Sequence, residues 1–297
     1  MAAMTEPTID TALLAHLQTW QGKSDTLSDS FTAVPVAALS ATLDRDDPAP
    51  AMGTVVPPLW HWLYFLPHAR ASELGPDGHP KRGGFLPPVP LPRRMWAGGR
   101  LRWEPANPLC VGQQVQRRST IRSVKHKAGR SGELLFVLVE HQYHNARGLA
   151  LTEEHDIVYR SGAQPGEAAP APQKPPLAGQ AAWSRSVTAD AVLLFRYSAL
   201  TFNGHRIHYD RPYVTGVEGY PGLIVHGPLI ATLLLDLLRR QLPDAQVAAF
   251  DFRAVRPTFD THPFSVHGKP SADGKTIELW AQDHEGWLTM QGTATLA

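Results

Sequence analysis

The sequence predicts an α+β fold made twice, each copy an antiparallel sheet curled around one apolar helix. Three observations carry that expectation. Ser161 to Pro176, rich in Pro, Ala and Gly and without apolar periodicity, interrupts the 297-residue chain near its middle and reads as an extended linker. On each side of it, a segment containing prolines runs into an apolar helix. Downstream of each such helix come β-type runs separated by turn residues. The expected boundaries are 1–160 for the first unit, 161–182 for a Pro/Ala-rich linker and 183–297 for the second unit.

The elements follow in order. In the first half, Val55-Val56-Pro57-Pro58-Leu59 leads into the apolar run Trp60 to Leu66. Strands are expected over Gln113–Ile121 and Glu133–Tyr143, with a further run ending at Arg160, and turns at 128–132 and 145–148. In the second half, Gly222-Leu223-Ile224-Val225-His226-Gly227-Pro228-Leu229 leads into a helix reaching Arg240, apolar nearly all round and therefore expected to be wrapped by other structure. Pro228 suits its first turn, and Arg239 and Arg240 suit its C-terminal end. Strands are expected over Phe250–Val255, Pro263–Gly268, Lys275–Ala281 and Trp287–Ala294, with turns at Asp273-Gly274 and His284-Glu285-Gly286. A sheet wrapped around a helix, repeated in tandem, is a double hotdog.

Composition narrows the function. The formal net charge is +1, from 28 basic and 27 acidic side chains, which gives no field for nucleic acid. The single cysteine, Cys110, leaves no intramolecular disulfide framework and no Cys-rich metal site, and fits a reducing, cytoplasmic compartment. No basic N-terminal region precedes an apolar stretch and no run of 18 apolar residues occurs, so neither a secretory signal nor a membrane span is expected.

The densest chemistry lies between Tyr197 and Tyr213, where Asn203, His205, Arg206, His208, Asp210 and Arg211 fall within nine residues. With the His226-Gly227-Pro228 helix start downstream, this pairing suggests a thioester site. Adding water to a conjugated thioester needs a base working near neutrality, for which histidine is suited, and a donor to the thioester oxygen as it gains enolate charge. The expected donor is the N–H of Gly227, at a helix N-terminus where free amides favour negative charge. Aligning the two copies sets Val56-Pro57-Pro58 on His226-Gly227-Pro228, and Pro57 has no N–H to offer. The first half also has no counterpart of the 203–210 cluster, so one active and one degenerate unit are expected.

The stretch Phe195 to Leu238, with Pro92 to Arg100, resembles hydroxyacyl-thioester dehydratase type 2 and the related mesaconyl-C4-CoA (3-methylfumaryl-CoA) hydratases, double-hotdog members of the MaoC-like group. The resemblance spans nearly the whole chain outside the linker and the first twenty or so residues. It implies reversible hydration of an enoyl-CoA without metal or organic cofactor. The wider group uses Gly-Asp-x-Asn-Pro-x-His, whose Asp and His activate the water. Here His208 matches the His, Asn203 stands at the Asp position and His205 at the Asn position, while Thr-Phe-Asn-x-His-Arg-Ile-His-Tyr-Asp is the subfamily's own pattern. Asn203 is no base, so it is expected to hold water for His208, with His205 or Asp210 as alternative second titrating groups.

Tyr197, Arg206 and His226 are expected at the substrate, and so are Arg94 and Arg100, as cations for CoA phosphates or a substrate carboxylate unless that strip is a solvated loop. Asn203 could equally cap a turn, Arg206, Asp210 and Arg211 could form an ion-pair network, and the Trp60, Trp62, Tyr64, Phe65 stripe could be core or tunnel wall. His61, His68, His79, His141, His144 and His155 look scattered, and no metal site is expected. Two other functions stay open: a thioesterase activating water with Asp210, and a noncatalytic acyl-thioester module. The expected partner is an acyl-CoA, with no nucleic acid and no membrane, for a monomer or homo-oligomer of double hotdogs.

Overall fold

The computed structural model describes residues 9–129, 132–161 and 171–297. Residues 162–170 of the expected linker and the tip of the turn at 130–131 lie outside them.

Ten antiparallel strands form one sheet. The first half supplies β1 (Ser24–Ser30), β2 (Arg93–Trp103), β3 (Gln114–Gly129), β4 (Gly132–Asn145) and β5 (Gly148–Arg160). The second supplies β6 (Trp183–Val187), β7 (Val247–Ala254), β8 (Phe264–Pro270), β9 (Thr276–Gln282) and β10 (Leu288–Leu296). The order is β1-β3-β4-β5-β2-β7-β10-β9-β8-β6, so the halves meet at the β2–β7 pair. The two expected sheets thus join edge to edge as one continuous sheet with five strands from each half. Its seam explains two glycines. A Cβ at Gly98 would run into the Phe252 carbonyl oxygen, and one at Gly99 would lie 2.9 Å from the Phe252 ring. Only glycine lets β2 and β7 approach there.

The second-half helix forms as expected. Helix α5 (Gly227–Gln241) is buried from Leu229 to Leu238 and lies against β6, β8, β9 and β10; α1 (Thr11–Gln18), α2 (Ala33–Thr42), α3 (Ala191–Leu200) and α4 (Arg211–Gly216) are shorter. The first half departs from its copy. Its expected helix is a single 3₁₀ turn, Trp60–Leu63, entered through Leu59 at φ 70° and left before Phe65 at φ 54°. Successive prolines precede it, and Trp60, Leu63, Tyr64 and Phe65 are buried core rather than the face of a continuing helix. One consequence is that part of the first half's inner sheet face has no helix across it.

That face carries polar side chains among its apolar ones. Strands alternate their side chains between faces. On β5 the inner set is Leu151, Glu153, His155, Ile157 and Tyr159, and on β4 it includes His141 and Tyr143, which pair across with Ser119 and Arg117 of β3. In β2 a bulge between Trp96 and Gly98 changes the parity: Arg94 pairs with inward Tyr159, whereas Arg100 pairs with outward Glu154.

Candidate active site

Helix α3 ends in a backbone turn that builds the site. Asn203 N–H donates to Ser198 O (2.8 Å) and Phe202 N–H to Ala199 O (3.3 Å), with Phe202 in the left-handed region at φ 49°. Glycine normally takes that position, and a side chain there costs about 1–2 kcal/mol. The chain then folds into a 3₁₀ turn, Arg206–His208. Asn203 Oδ1 accepts from the His205 N–H at 3.0 Å, so its carbonyl shapes the turn, as the turn-capping alternative anticipated.

His208 is buried, and its Nδ1 lies 2.7 Å from the Ile224 carbonyl oxygen. A carbonyl only accepts, so Nδ1 carries the proton and Nε2 presents a lone pair. The acceptor is itself fixed: Ile224 N–H donates to Ile207 O at 3.0 Å and Val225 N–H to Thr258 O at 2.9 Å. Burial pushes the imidazole down to about 4, against the raising effect of the Ile224 bond, so it is a neutral base at physiological pH.

The His226 ring stacks on His208, centroids 3.7 Å apart and 19° from parallel. It has no exposed surface, and its Nε2 is 2.8 Å from Ser198 Oγ. Tyr197 is 1% exposed, its ring 5.1 Å from His226. Both were expected to touch substrate. The structure instead buries both, His226 against the His208 ring and Tyr197 against His226. His226 also precedes Gly227, which opens α5; a Cβ at Gly227 would meet nothing within 4 Å, and the Gly227 N–H has no partner among the described residues. A helix-terminal amide without an internal partner, next in sequence to the His226 that stacks on His208, is what an oxyanion donor requires.

Other expected residues are committed elsewhere. Asp210 caps α4 by accepting from Tyr213 N–H (3.0 Å) and pairs with Arg206 (2.7 Å); those partners hold its carboxyl below the usual range. Arg206 also donates to Pro76 O (2.9 Å) and covers the Tyr213 ring (4.0 Å), while Arg211 pairs with Asp260. The ion-pair reading of these three thus fits better than roles for Asp210 as base or Arg206 as substrate ligand, and a thioesterase would lack its carboxylate. Arg100, expected at the substrate, is held on the outer face by Glu154 (2.5 Å) and Asp156 (2.6 Å). Arg94 faces inward beside the Tyr159 hydroxyl, close enough to His79, His155 and His205 for its charge to disfavour their protonation. Among the described residues no carboxylate lies within salt-bridge distance of Arg94.

The histidines that look scattered converge. Glu153, 2% exposed, accepts from His61 Nε2 (3.1 Å), Trp62 Nε1 (2.9 Å) and Tyr143 OH (2.9 Å). Burial opposes its charge, and the His61 hydrogen bond with the charges of His61, His141 and His155 nevertheless holds its carboxyl well below the usual range. His155 lies against Trp96 (4.1 Å), and Trp96 against Trp62 (4.9 Å). Trp62, Trp96, Arg94, His141 and His155 each keep some accessible surface although they point to the sheet interior. Glu153 has one signal in the sequence, a charge in an alternating apolar strand; nothing there pairs it with His61.

With this geometry in place, the comparisons decide the family. Residues 59–260 match the family hydroxyacyl-thioester dehydratase type 2. The chain belongs to that family. It is also 46% identical over 285 residues to a mesaconyl-C(4)-CoA hydratase of Chloroflexus aurantiacus, covering 95% of this chain and 98% of that one. Among solved structures, a MaoC-like dehydratase from Phytophthora capsici superposes with a TM-score of 0.66 at 13% identity, covering 94% and 97% of the two chains. A Mycobacterium tuberculosis protein described as a double hotdog superposes with 0.56 at 15% identity, covering 96% and 98%. These neighbours establish the double-hotdog fold, and the family membership makes this member a hydro-lyase of acyl thioesters. Among the described residues no helix is long and apolar enough to cross a membrane.

Proposed function

We propose that the protein catalyses reversible hydration of a short enoyl-CoA bearing a distal carboxylate, the class to which mesaconyl-C4-CoA (3-methylfumaryl-CoA) belongs. His208 Nε2 takes a proton from water as the water oxygen bonds to the β-carbon, and the π electrons move to the thioester oxygen. Gly227 N–H stabilises that oxygen. The proton then passes from His208 to the α-carbon, which leaves a 3-hydroxyacyl thioester and a neutral histidine. Asn203, through its side-chain amide, holds the water. No step calls for a metal or organic cofactor. The second half, from 183 onward, supplies the base and the oxyanion donor, and the degenerate first half supplies room and charge for the acyl group. The single cysteine supports a cytoplasmic setting.

The observation that carries the substrate class is Arg94, an inward-facing guanidinium near His205 with no carboxylate neighbour among the described residues. A fatty enoyl group would need an apolar tunnel, whereas Arg94, His141 and His155 stand beside Trp62 and Trp96 among the inward, partly accessible side chains of the first half. The 46% identity to a mesaconyl-C(4)-CoA hydratase supports the same reading. The test follows loss of enoyl-thioester absorbance across enoyl-CoAs matched in length and ending in carboxylate or methyl. The carboxylated substrates should have the higher kcat/KM. Arg94→Gln should raise KM for them by about 10- to 100-fold, the worth of a charge-assisted hydrogen bond, and leave the methyl series unchanged. Equal effects on both series would remove Arg94 from the carboxylate role.

A further inference from the structure

The turn carrying Asn203 and His205 is docked by a loop from the other half of the chain. Residues 74–80 fold back on themselves: Gly75 N–H donates to His79 O (2.7 Å), Gly78 N–H to Gly75 O (3.0 Å), and Leu74 and Pro80 form an isolated antiparallel bridge. The loop's back lies on the second half. Arg206 N–H donates to Asp77 O (2.9 Å), and the Arg206 guanidinium reaches Pro76 O (2.9 Å). Gly78 sits at φ 86°, and a Cβ there would run into the Gly204 carbonyl oxygen. Two glycines, Gly78 and Gly204, thus meet backbone to backbone, an approach no larger residue permits.

This docking delivers one side chain. His79 lies 4.1 Å from the His205 ring, and His205 lies 5.5 Å from His208. Among the described residues neither ring nitrogen of His79 or of His205 has a hydrogen-bond partner, and both rings keep part of their surface accessible. Half-buried imidazoles are ordinarily hydrogen-bonded, so these unpaired nitrogens are free to take a partner from outside the protein. Burial, then the charges of Arg94 and His208, push His79 down to about 3; burial, then His79 and His208, push His205 to about 2. Both are neutral acceptors at physiological pH.

We propose that His79, carried in from the first half by the Gly78–Gly204 contact, is a catalytic residue of the second-half site that accepts a hydrogen bond from the attacking water. The role exists because the position occupied by Asp in the wider group holds Asn203, whose side-chain oxygen is spent on the His205 N–H. His208 Nε2 takes one water proton. The second water O–H then needs an acceptor to aim the oxygen lone pair at the β-carbon, and His79 supplies it without changing its own protonation. The inference rests on His208 being the hydration base and not on the identity of the acyl group.

The test measures each variant as a ratio to wild type on whichever enoyl-CoA the wild type hydrates best. His79→Phe keeps the ring against His205 and deletes both nitrogens. It should lower kcat by about 10- to 100-fold, the lower part of the range for a positioned proton-handling group, with KM changed less than about threefold. His79→Gln, which keeps an acceptor, should retain more turnover than His79→Phe. Gly78→Ala should lower kcat as well, and the double variant Gly78→Ala/His79→Phe should be no slower than the worse single one, because the loop acts through His79. A folded His79→Phe enzyme within about twofold of wild-type kcat overturns the proposal, as do fully additive losses in the double variant. Failure of the substrate-class reading shows separately, in the wild-type panel.

Discussion

His208→Ala is expected to lose about 10² to 10⁴ of the hydration rate while keeping the fold, the cost of removing a positioned general base. The geometry adds a sharper expectation about pH. With Nδ1 donating to Ile224 O and burial pushing the ring down to about 4, wild-type kcat/KM should show no inflection near 6.5, where an exposed histidine titrates, and should stay level down to about pH 5. The stability sign runs with it. The unfolded chain binds a proton at this histidine near 6.5 and the folded one only near 4, so stability falls as pH drops through that window. His79, His141, His155, His205 and His226 are depressed as well, chiefly by burial, and act in the same direction. Activity is therefore to be read only at pH values where circular dichroism is unchanged. Retention of more than about a tenth of wild-type turnover in a folded His208→Ala enzyme would transfer the base to another group, His205 at 5.5 Å being the neighbouring imidazole with both nitrogens unpaired among the described residues.

How much of this fold is legible in the sequence depends on the range over which each signal acts. Helix α5 is readable because Pro228, an apolar run and Arg239-Arg240 are local signals of a start, a buried body and an end. The strands β4, β9 and β10 are readable for the same reason. Strand β2 is not: its two glycines and four arginines look like a loop, and the meaning of the glycines lies in Phe252, over 150 residues away, which Gly98 and Gly99 must approach. The first-half helix fails in the opposite way. An apolar run beginning at prolines satisfies the helix template, but it is spent as one turn whose indole and imidazole hold a carboxylate on β5.

Around the candidate site, the motif between Asn203 and His208 is a local pattern that the sequence displays, and register decides which surrounding cations face inward. Arg94 and Arg100 are six apart and on a regular strand would share a face. The bulge after Trp96 turns one in and the other out, so the two arginines that look equivalent in sequence have opposite fates. His79 carries no signal of its own, since Asp-Gly-His-Pro marks a turn and nothing more. Its place follows only from the contact of Gly78 with Gly204.

Gly227→Pro is the second large effect expected. The substitution keeps a helix start, because proline is tolerated at a first helical position, and removes the one N–H proposed to face the thioester oxygen. Loss of a single oxyanion donor costs roughly 3–4 kcal/mol of transition-state stabilisation, or about 10² to 10³ in kcat. Gly227→Ala is the control, and the local geometry makes it a clean one. Gly227 has no left-handed backbone angle and a Cβ there meets nothing within 4 Å, so alanine keeps the N–H without clash or strain, and its kcat should stay within a few-fold of wild type. The first half supplies a further comparison, since Pro57 occupies the aligned position and already lacks the donor. Pro57→Gly should create no second site, because no counterpart of His208 stands beside it. Titration with a tight-binding enoyl-CoA analogue should give one site per chain in wild type and in Pro57→Gly, and much weaker binding in Gly227→Pro. Two sites per chain, or equal losses in Gly227→Ala and Gly227→Pro, would mean that the amide at 227 is not what holds the thioester oxygen.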